Sequence, residues 1–469
     1  MISKLIVSRG GRALLLAASS VTSFLLAALV LRHGIKAWPD SWYDWEGSVN
    51  LIEHGTYTTM LGVTIQDWPP FYSVYLALFE SIFGQTGWAL ILSMCVLVAA
   101  NVAIWGAYIF KVFPSDEKPA VFGILASLAF LVCFLPTYCT SILANALLLI
   151  FVGLVFHLLA ALAEDTSKWG GVMKSVCIGL LLGVGIFTHN SSIIYVVAAV
   201  TVIMVSMPTP LRQRLIAAGF ILFIFTVAWM NVPSHGLRMR PKTTDLALAT
   251  VGASSASAPL EGSHFLFDPK YSFAQYLVQT PQGFGVFFIS TPWIPAQAAL
   301  GALILATALY FLIRQPESKL ESRQRVFLGF ALLLVLGHFA IFNLVWLDTI
   351  FGDRFAWYFA LVAVPIFFYR FRQNRLILAL MLLATLGVSG WRLGKLLENG
   401  AVPVLAATTQ VAPIGAIYPE YFLTSNPHPV VPAGAIQIEP PIYHYQKTAS
   451  GATPSDIHET IRLVHPETN

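Results

Sequence analysis

The stretch WALILSMCVLVAANVAIWGAYIF runs from Trp88 to Phe110 and is followed directly by Lys111. Its 23 residues contain no Asp, Glu, Lys or Arg. A helix needs about 20 apolar residues to cross a bilayer, and a strand of a membrane barrel would be shorter and alternating. The stretch therefore reads as a membrane-spanning helix. Working outward, similar runs recur at 13–31, 120–136, 142–163, 172–187, 191–207, 215–231, 287–313, 326–347, 355–369 and 376–391. The composition agrees: 57% of the residues are hydrophobic, 11% are charged and the mean hydropathy is +0.72. Soluble proteins carry roughly 25% charged residues. The expected fold is an all-α polytopic membrane protein of about 11 transmembrane helices, with juxtamembrane helices in its outer loops.

The arrangement of charge gives the expected topology. Short connections around Lys111–Lys118, Glu164–Lys174, Leu211–Arg214, Arg314–Arg325 and Arg370–Arg375, together with the N-terminus, hold 16 of the 27 Lys and Arg. Basic residues concentrate on the cytoplasmic side, so the N-terminus is expected in the cytoplasm of an inner membrane. An odd number of spans then leaves residues 393–469 outside. Residues 1–392 form the transmembrane domain, with long outer loops at 32–87 and 232–286. The tail is rich in proline, with Pro427, Pro429, Pro432, Pro440 and Pro441. Residues Gly171 to Met207 begin and end beside basic clusters, so they should cross twice, with Thr188-His189-Asn190 as the turn. The run 13–31 follows a basic start but has no small-residue cleavage site, so it reads as a retained span.

Cys95, Cys133, Cys139 and Cys177 lie in or beside apolar runs and suggest neither a metal site nor a disulfide framework. Asn101, Asn145, His157, Asn231, His338 and Asn343 are polar residues inside spans and read as interhelical hydrogen-bonding groups. Charged residues are missing from the interior of the spans, unlike ion-coupled transporters. Chemistry is therefore expected in the outer loops.

The first outer loop reads Pro39-Asp40-Ser41-Trp42-Tyr43-Asp44-Trp45-Glu46, then Leu51-Ile52-Glu53-His54-Gly55, then Asp67-Trp68-Pro69-Pro70-Phe71-Tyr72. The aromatics suit an interfacial helix. They leave unexplained the carboxylates placed where ionised groups lose solvation. Asp40 also suits a helix N-cap after Pro39.

The segment Asp40 to Gly84 resembles the first outer loop of the GT-C superfamily, the group that includes protein O-mannosyltransferases and the lipid A aminoarabinose transferase. The matching positions are Asp40, Ser48, Leu51, Gly55, Pro69-Pro70-Phe71-Tyr72 and Phe83-Gly84, with Asp44 where Tyr is usual. Gly179-Leu-Leu-Leu-Gly183 to Ser191 is similar to the superfamily's glycine-rich span, with His189 where an Arg is usual. Gly352-Asp353-Arg354-Phe355 and Pro365 are similar to its late Arg-Tyr and Pro element.

The resemblance implies a glycosyltransferase, moving a sugar from a polyprenyl-phosphate donor to a hydroxyl of a lipid or glycan acceptor at the outer face of the bilayer. Such inverting transfer needs a carboxylate base, for which Asp40 is the first candidate and Asp44 and Glu46 the substitutes. The departing phosphate needs cations, and Arg354 leads there. Arg238, Arg240 and Lys242 form an alternative, and His189 and Tyr72 complete the expected substrate-binding set. No cofactor is required, a divalent cation shared by the loop acids is compatible with the pattern, and no nucleic acid partner is suggested. A non-catalytic flippase or transporter of lipid-linked glycans is the alternative function, and an assembly subunit with a partner-binding tail is a third.

Overall fold

The computed structural model describes residues 8–32, 34–35, 39–58, 65, 69–113, 118–138, 144–164, 168–189, 192–206, 209–231, 294–344, 352–399, 405–406, 421–423, 436–439 and 442–444. Within the described residues each of the eleven expected spans coincides with a helix; 287–293 and 345–347 of two expected spans lie outside them. In chain order these are α1 (Arg9–Val30), α4 (Gly87–Val112), α5 (Lys118–Tyr138), α6 (Ala144–Glu164), α7 (Lys168–Thr188), α8 (Ser192–Ser206), α9 (Leu211–Met230), α10 (Ile294–Ile313), α11 (Lys319–Leu344), α12 (Gly352–Arg370) and the pair α13 (Arg375–Leu382) and α14 (Val388–Asn399). Two further helices, α2 (Pro39–His54) and α3 (Phe71–Phe83), occupy the first outer loop. The fold is an all-α polytopic membrane protein. Among the described residues, seven helices have the length and apolar composition to cross a membrane, and shorter apolar helices lie between them.

The outward faces bear out that reading. On α1, Leu14, Val21, Leu25 and Leu29 are exposed, and on α9 Phe223, Val227 and Met230 are exposed. In water such contiguous apolar surface would be a liability, whereas lipid is its natural solvent. The inward faces meet on α4, which packs against α1, α5 and α6. Trp105 and Tyr108 on α4, Phe156 on α6, and Phe327 and Phe330 on α11 form a buried aromatic cluster with ring centroids 4.7 to 6.0 Å apart. Tyr108 Oη donates to the Val362 carbonyl at 3.2 Å, within the turn of α12 that Pro365 interrupts.

Helices α7 and α9 approach closely because α7 presents glycine to its partner. A Cβ at Gly179 would lie 3.1 Å from Ile224 Cβ and 3.3 Å from the backbone Cα of Ile221. A Cβ at Gly183 would lie 3.1 Å from that of Ala228. Small residues four apart let helix backbones come together where lipid supplies no hydrophobic drive.

Two ends of the bundle are distinct. At one, Arg12 lies over Phe110, Gln324 Nε2 donates to the Val112 carbonyl at 3.0 Å, Phe113 meets Tyr369 edge-on, and Arg370 pairs with Glu321. These are the ends that the expected topology places together. At the other end, Arg32 Nη2 reaches the Glu398 carbonyl at 3.4 Å and Arg392 donates to Tyr138 Oη. Helices α2 and α3 emerge there.

The polar span residues divide by partner. Asn101 Nδ2 donates to Ala146 O at 2.8 Å and His157 Nε2 lies 2.9 Å from Ile104 O, so both bridge α4 and α6 as expected. Asn231 does not bridge helices. It donates to Val227 in its own last turn, at 2.7 Å, because it sits exposed at the helix end where carbonyls lack partners. The side chains of His338 and Asn343 lie outside the described residues.

Two boundaries differ from expectation. The last helical segment continues to Asn399, through a π-helical turn at Leu383–Gly387, so Arg392 and Lys395 belong to a helix. The helix α7 begins at Lys168 and is a full-length span, with its break from α8 at His189. Short strands also occur. Strand β1 (Gly34–Ile35) pairs antiparallel with β2 (Leu405–Ala406), tying the chain after α1 to the tail. Strands β3 (Tyr421–Leu423), β4 (Ile436–Glu439) and β5 (Ile442–His444) form a sheet in the order β3-β5-β4.

Candidate active site

Helix α2 carries the acids of the first loop. It starts at Pro39, which suits a first helical position because its missing N–H would be unpaired there anyway. Asp40 therefore lies in the first turn rather than at the cap, where a carboxylate is favoured by the helix dipole. The helix stops at Gly55, whose φ of +66° a side chain would resist. The Gly55 N–H bonds Leu51 O at 3.2 Å and the Thr56 N–H bonds Asn50 O at 3.4 Å. The Asn50 amide then donates to Thr58 O at 2.7 Å, folding the chain back along the helix.

The returning chain brings Tyr57 against α2. At Gly47 a Cβ would lie 2.4 Å from the Tyr57 ring and 3.0 Å from Ser73 Oγ. Gly47 is thus the opening that admits the ring. Asp44 lies one turn after Asp40 and is 3% exposed, although its neighbours in sequence are the surface-type aromatics of the loop. Burial, and then the charge of Asp44, raise the Tyr57 phenol well above its ordinary pKa.

Helix α3 forms the floor. It follows Pro69-Pro70 and ends at Gly84, whose φ is +82°. Thr86 then caps α4, its Oγ1 accepting from Ala89 N at 3.3 Å. Tyr72 is fully buried, with its hydroxyl donating to Met94 Sδ at 3.3 Å and its ring stacked on Tyr75. Tyr75 Oη donates to the Ser93 carbonyl at 2.7 Å. These bonds lock α3 onto α4.

One residue of this layer was absent from the expected site. Glu80 on α3 is 1% exposed and faces α2. Its Oε1 accepts from Trp45 Nε1 at 3.1 Å, and its Oε2 lies 2.7 Å from Ser48 Oγ. Burial raises its carboxyl to about 7, against the opposing effect of those two hydrogen bonds. The sequence signal was available: Glu80 is the one charged residue of the otherwise apolar Phe71–Phe83 helix, and Trp45 and Ser48 are three apart on the preceding helix.

The remaining expected residues are placed as follows. Glu46 lies on α2 and Arg354 in the first turn of α12, with the side chains of Asp40, Glu46 and Arg354 outside the described ones. Arg238, Arg240 and Lys242 lie outside the described residues. His189 forms the turn between α7 and α8, its N–H bonding Gly185 O at 2.8 Å and its carbonyl accepting from Ser192 at 3.1 Å. Arg392, the last residue of the expected transmembrane domain and one position past its last expected span, lies on α14 against Tyr138 at the same end of the bundle. Among the described residues no three His, Cys, Asp or Glu side chains converge as metal ligands.

No protein-family model and no curated protein matches the chain. Among solved structures it is similar to the arabinosyltransferase EmbB from Mycobacterium smegmatis, at 11% identity and a TM-score of 0.39, over 81% of this chain and 40% of that one. It is also similar to the Archaeoglobus fulgidus oligosaccharyltransferase in its apo form, at 13% identity and a TM-score of 0.45, over 86% of this chain and 57% of that one. The same oligosaccharyltransferase in complex with Zn and sulfate matches at 14% identity and a TM-score of 0.42, over 84% and 54%. The chain spans about half the length of these structures.

Proposed function

We propose that this chain is a GT-C-type glycosyltransferase, moving a hexosyl or pentosyl group from a polyprenyl-phosphate donor to a hydroxyl of a lipid or glycan acceptor. The observation that carries the reading is the first-loop helix α2, which keeps Asp44 buried beside Tyr57 one turn after Asp40. An acid held out of water is costly unless it is paired or hydrogen-bonded, and buried carboxylates cluster at functional sites.

In this reading Asp40 is the base. It takes the acceptor proton as the hydroxyl oxygen bonds to the anomeric carbon, while the bond from that carbon to the donor phosphate breaks. Attack opposite the leaving group inverts the anomeric centre. The polyprenyl phosphate departs as an anion and needs no general acid. Arg354, with Arg238, Arg240 and Lys242, would neutralise it, and His189 and Tyr72 belong to the surrounding wall. Asp44 and Glu46 follow on the same helix as the alternative bases. A divalent cation is compatible with these acids, and no step is routed through one. The working face is the outer face of an inner membrane, with the tail on that side.

The test is lipid and glycan profiling of cells carrying the wild type, Asp40→Asn or Asp44→Asn at equal protein level. Loss of the base is expected to slow transfer by about 100-fold or more. One surface glycan should then lack a sugar while its unmodified acceptor accumulates. Unchanged profiles in both variants, with both proteins folded, would remove Asp40 and Asp44 as the base, and the same result in Glu46→Gln would remove the carboxylate-base reading.

A further inference from the structure

The contact between α2 and α3 contains a proton count that does not close with an ionised Glu80. Ser48 Oγ lies 2.7 Å from the Trp45 carbonyl oxygen and 2.7 Å from Glu80 Oε2. A serine hydroxyl carries one hydrogen. A carbonyl oxygen accepts only, so the contact to Trp45 consumes that hydrogen. The contact to Oε2 then has no hydrogen unless the carboxyl supplies it. Were Ser48 to donate to Glu80 instead, two oxygens would face each other at 2.7 Å on the Trp45 side with nothing between them. A neutral Glu80 satisfies every contact: Oε1 accepts from the Trp45 indole, Oε2–H donates to Ser48, and Ser48 donates to the Trp45 carbonyl. Among the described residues no cation pairs with Glu80, and its burial is nearly complete. An ionised carboxylate so placed would lose more in solvation than those hydrogen bonds return.

We propose that Glu80 is a positioning residue that works as a neutral carboxylic acid, clamping α2 to α3 and thereby setting where Asp40 and Asp44 sit. This rests on the transferase reading for its consequence, though not for its chemistry. Titration follows: the carboxyl is raised to about 7 by burial. The described titratable groups on the elements packed against α3 include Asp44, Glu53, His54 and Tyr57 on the α2 side, Tyr72 and Tyr75 on α3 itself, Cys95, Tyr108 and Lys111 on α4, and Lys174, Cys177 and His189 on or after α7. Burial and the bonds to Ser48 and Trp45 govern Glu80, and none of those groups enters. Above neutrality the proton leaves, Oε2 and Ser48 Oγ become competitors for one hydrogen, and the clamp loosens.

Infrared spectroscopy of the full chain in lipid nanodiscs reads the proton directly. At pH 6 the wild type should show the carbonyl stretch of a protonated carboxyl, vanishing as the pH is raised through neutrality, and Glu80→Gln should lack that band. The glutamine amide reproduces both hydrogen bonds of the neutral acid without titrating. Transfer by the wild type should fall about tenfold between pH 6 and pH 8, as the neutral fraction drops from roughly nine-tenths to one-tenth. Glu80→Gln should lack that decline, and Glu80→Leu should show weakened transfer at both pH values. A missing band at pH 6, or a band that persists in Glu80→Gln, overturns the neutral acid. An alkaline decline that persists in Glu80→Gln overturns the positioning role. If the band titrates as stated but no transfer is found, the carboxyl chemistry stands and the transferase reading falls.

Discussion

Helices α7 and α9 meet through missing side chains, whereas α2 and α3 meet through a buried acid. At the first contact Gly179 and Gly183 let two apolar surfaces close on each other, and dispersion alone holds them. At the second, Trp45, Ser48 and Glu80 make a hydrogen-bonded seam with no exposed atom to spare. The difference follows from solvent and task. In lipid, glycine is enough because packing fixes two long helices along many turns. Short helices at the rim of the bundle lack that length, and a polar seam gives them a single register.

The contrast is best broken at its strongest point. Gly179→Leu should cost about 3 kcal/mol or more by overpacking, because the obstacle includes the Ile221 backbone rather than a movable side-chain tip. Thermal unfolding in detergent checks this, and a neutral result would mean that α9 is free to shift. The pH response should separate the two contacts next. Glu80 has a folded pKa raised to about 7 from an ordinary 4.5, so the folded state holds a proton that the unfolded chain has lost. Stability is then fully present below the unfolded value and declines as pH rises from there to about 7, by at most about 3 kcal/mol. The slope should disappear in Glu80→Gln and persist in Gly179→Ala.

Smaller effects sharpen the picture. At pH 6, Glu80→Leu should cost about 2 kcal/mol by removing the buried carboxyl that bonds the Trp45 indole and Ser48. Adding Trp45→Phe should recover part of that loss, since replacing both partners of a buried hydrogen bond costs less than removing one, and differential melting of the single and double variants measures it. Gly47→Ala should cost about 1 kcal/mol, because its Cβ meets the Tyr57 ring, a side chain that can give way. The tyrosine would move from Asp44, so a loss of transfer larger than the loss of stability is the expected signature.

The spans were legible because a helix in lipid must satisfy its own backbone and cover itself with apolar side chains, and both demands are written in consecutive residues. The end of the last span was not, since Arg392-Leu393-Gly394-Lys395 reads as the polar end of the helix until Tyr138 and the α1 end are brought beside it. Glu80 was passed over for a related reason. A lone acid in a short apolar helix reads locally as the solvent side of an amphipathic element. Its burial depends on α2 lying across it, and Trp45 is 35 residues away.

By itself the sequence determined the helices, their order, the membrane as their solvent, and the glycines at 55 and 84 that stop α2 and α3. Those features follow from hydropathy and backbone geometry over a few residues. Only the tertiary structure decided that Gly179 and Gly183 face α9, that Asp44 is buried beside Tyr57, and that Glu80 shares a seam with Ser48 and Trp45. Each of these depends on which faces of separate helices meet, and no local pattern records the partner of a face.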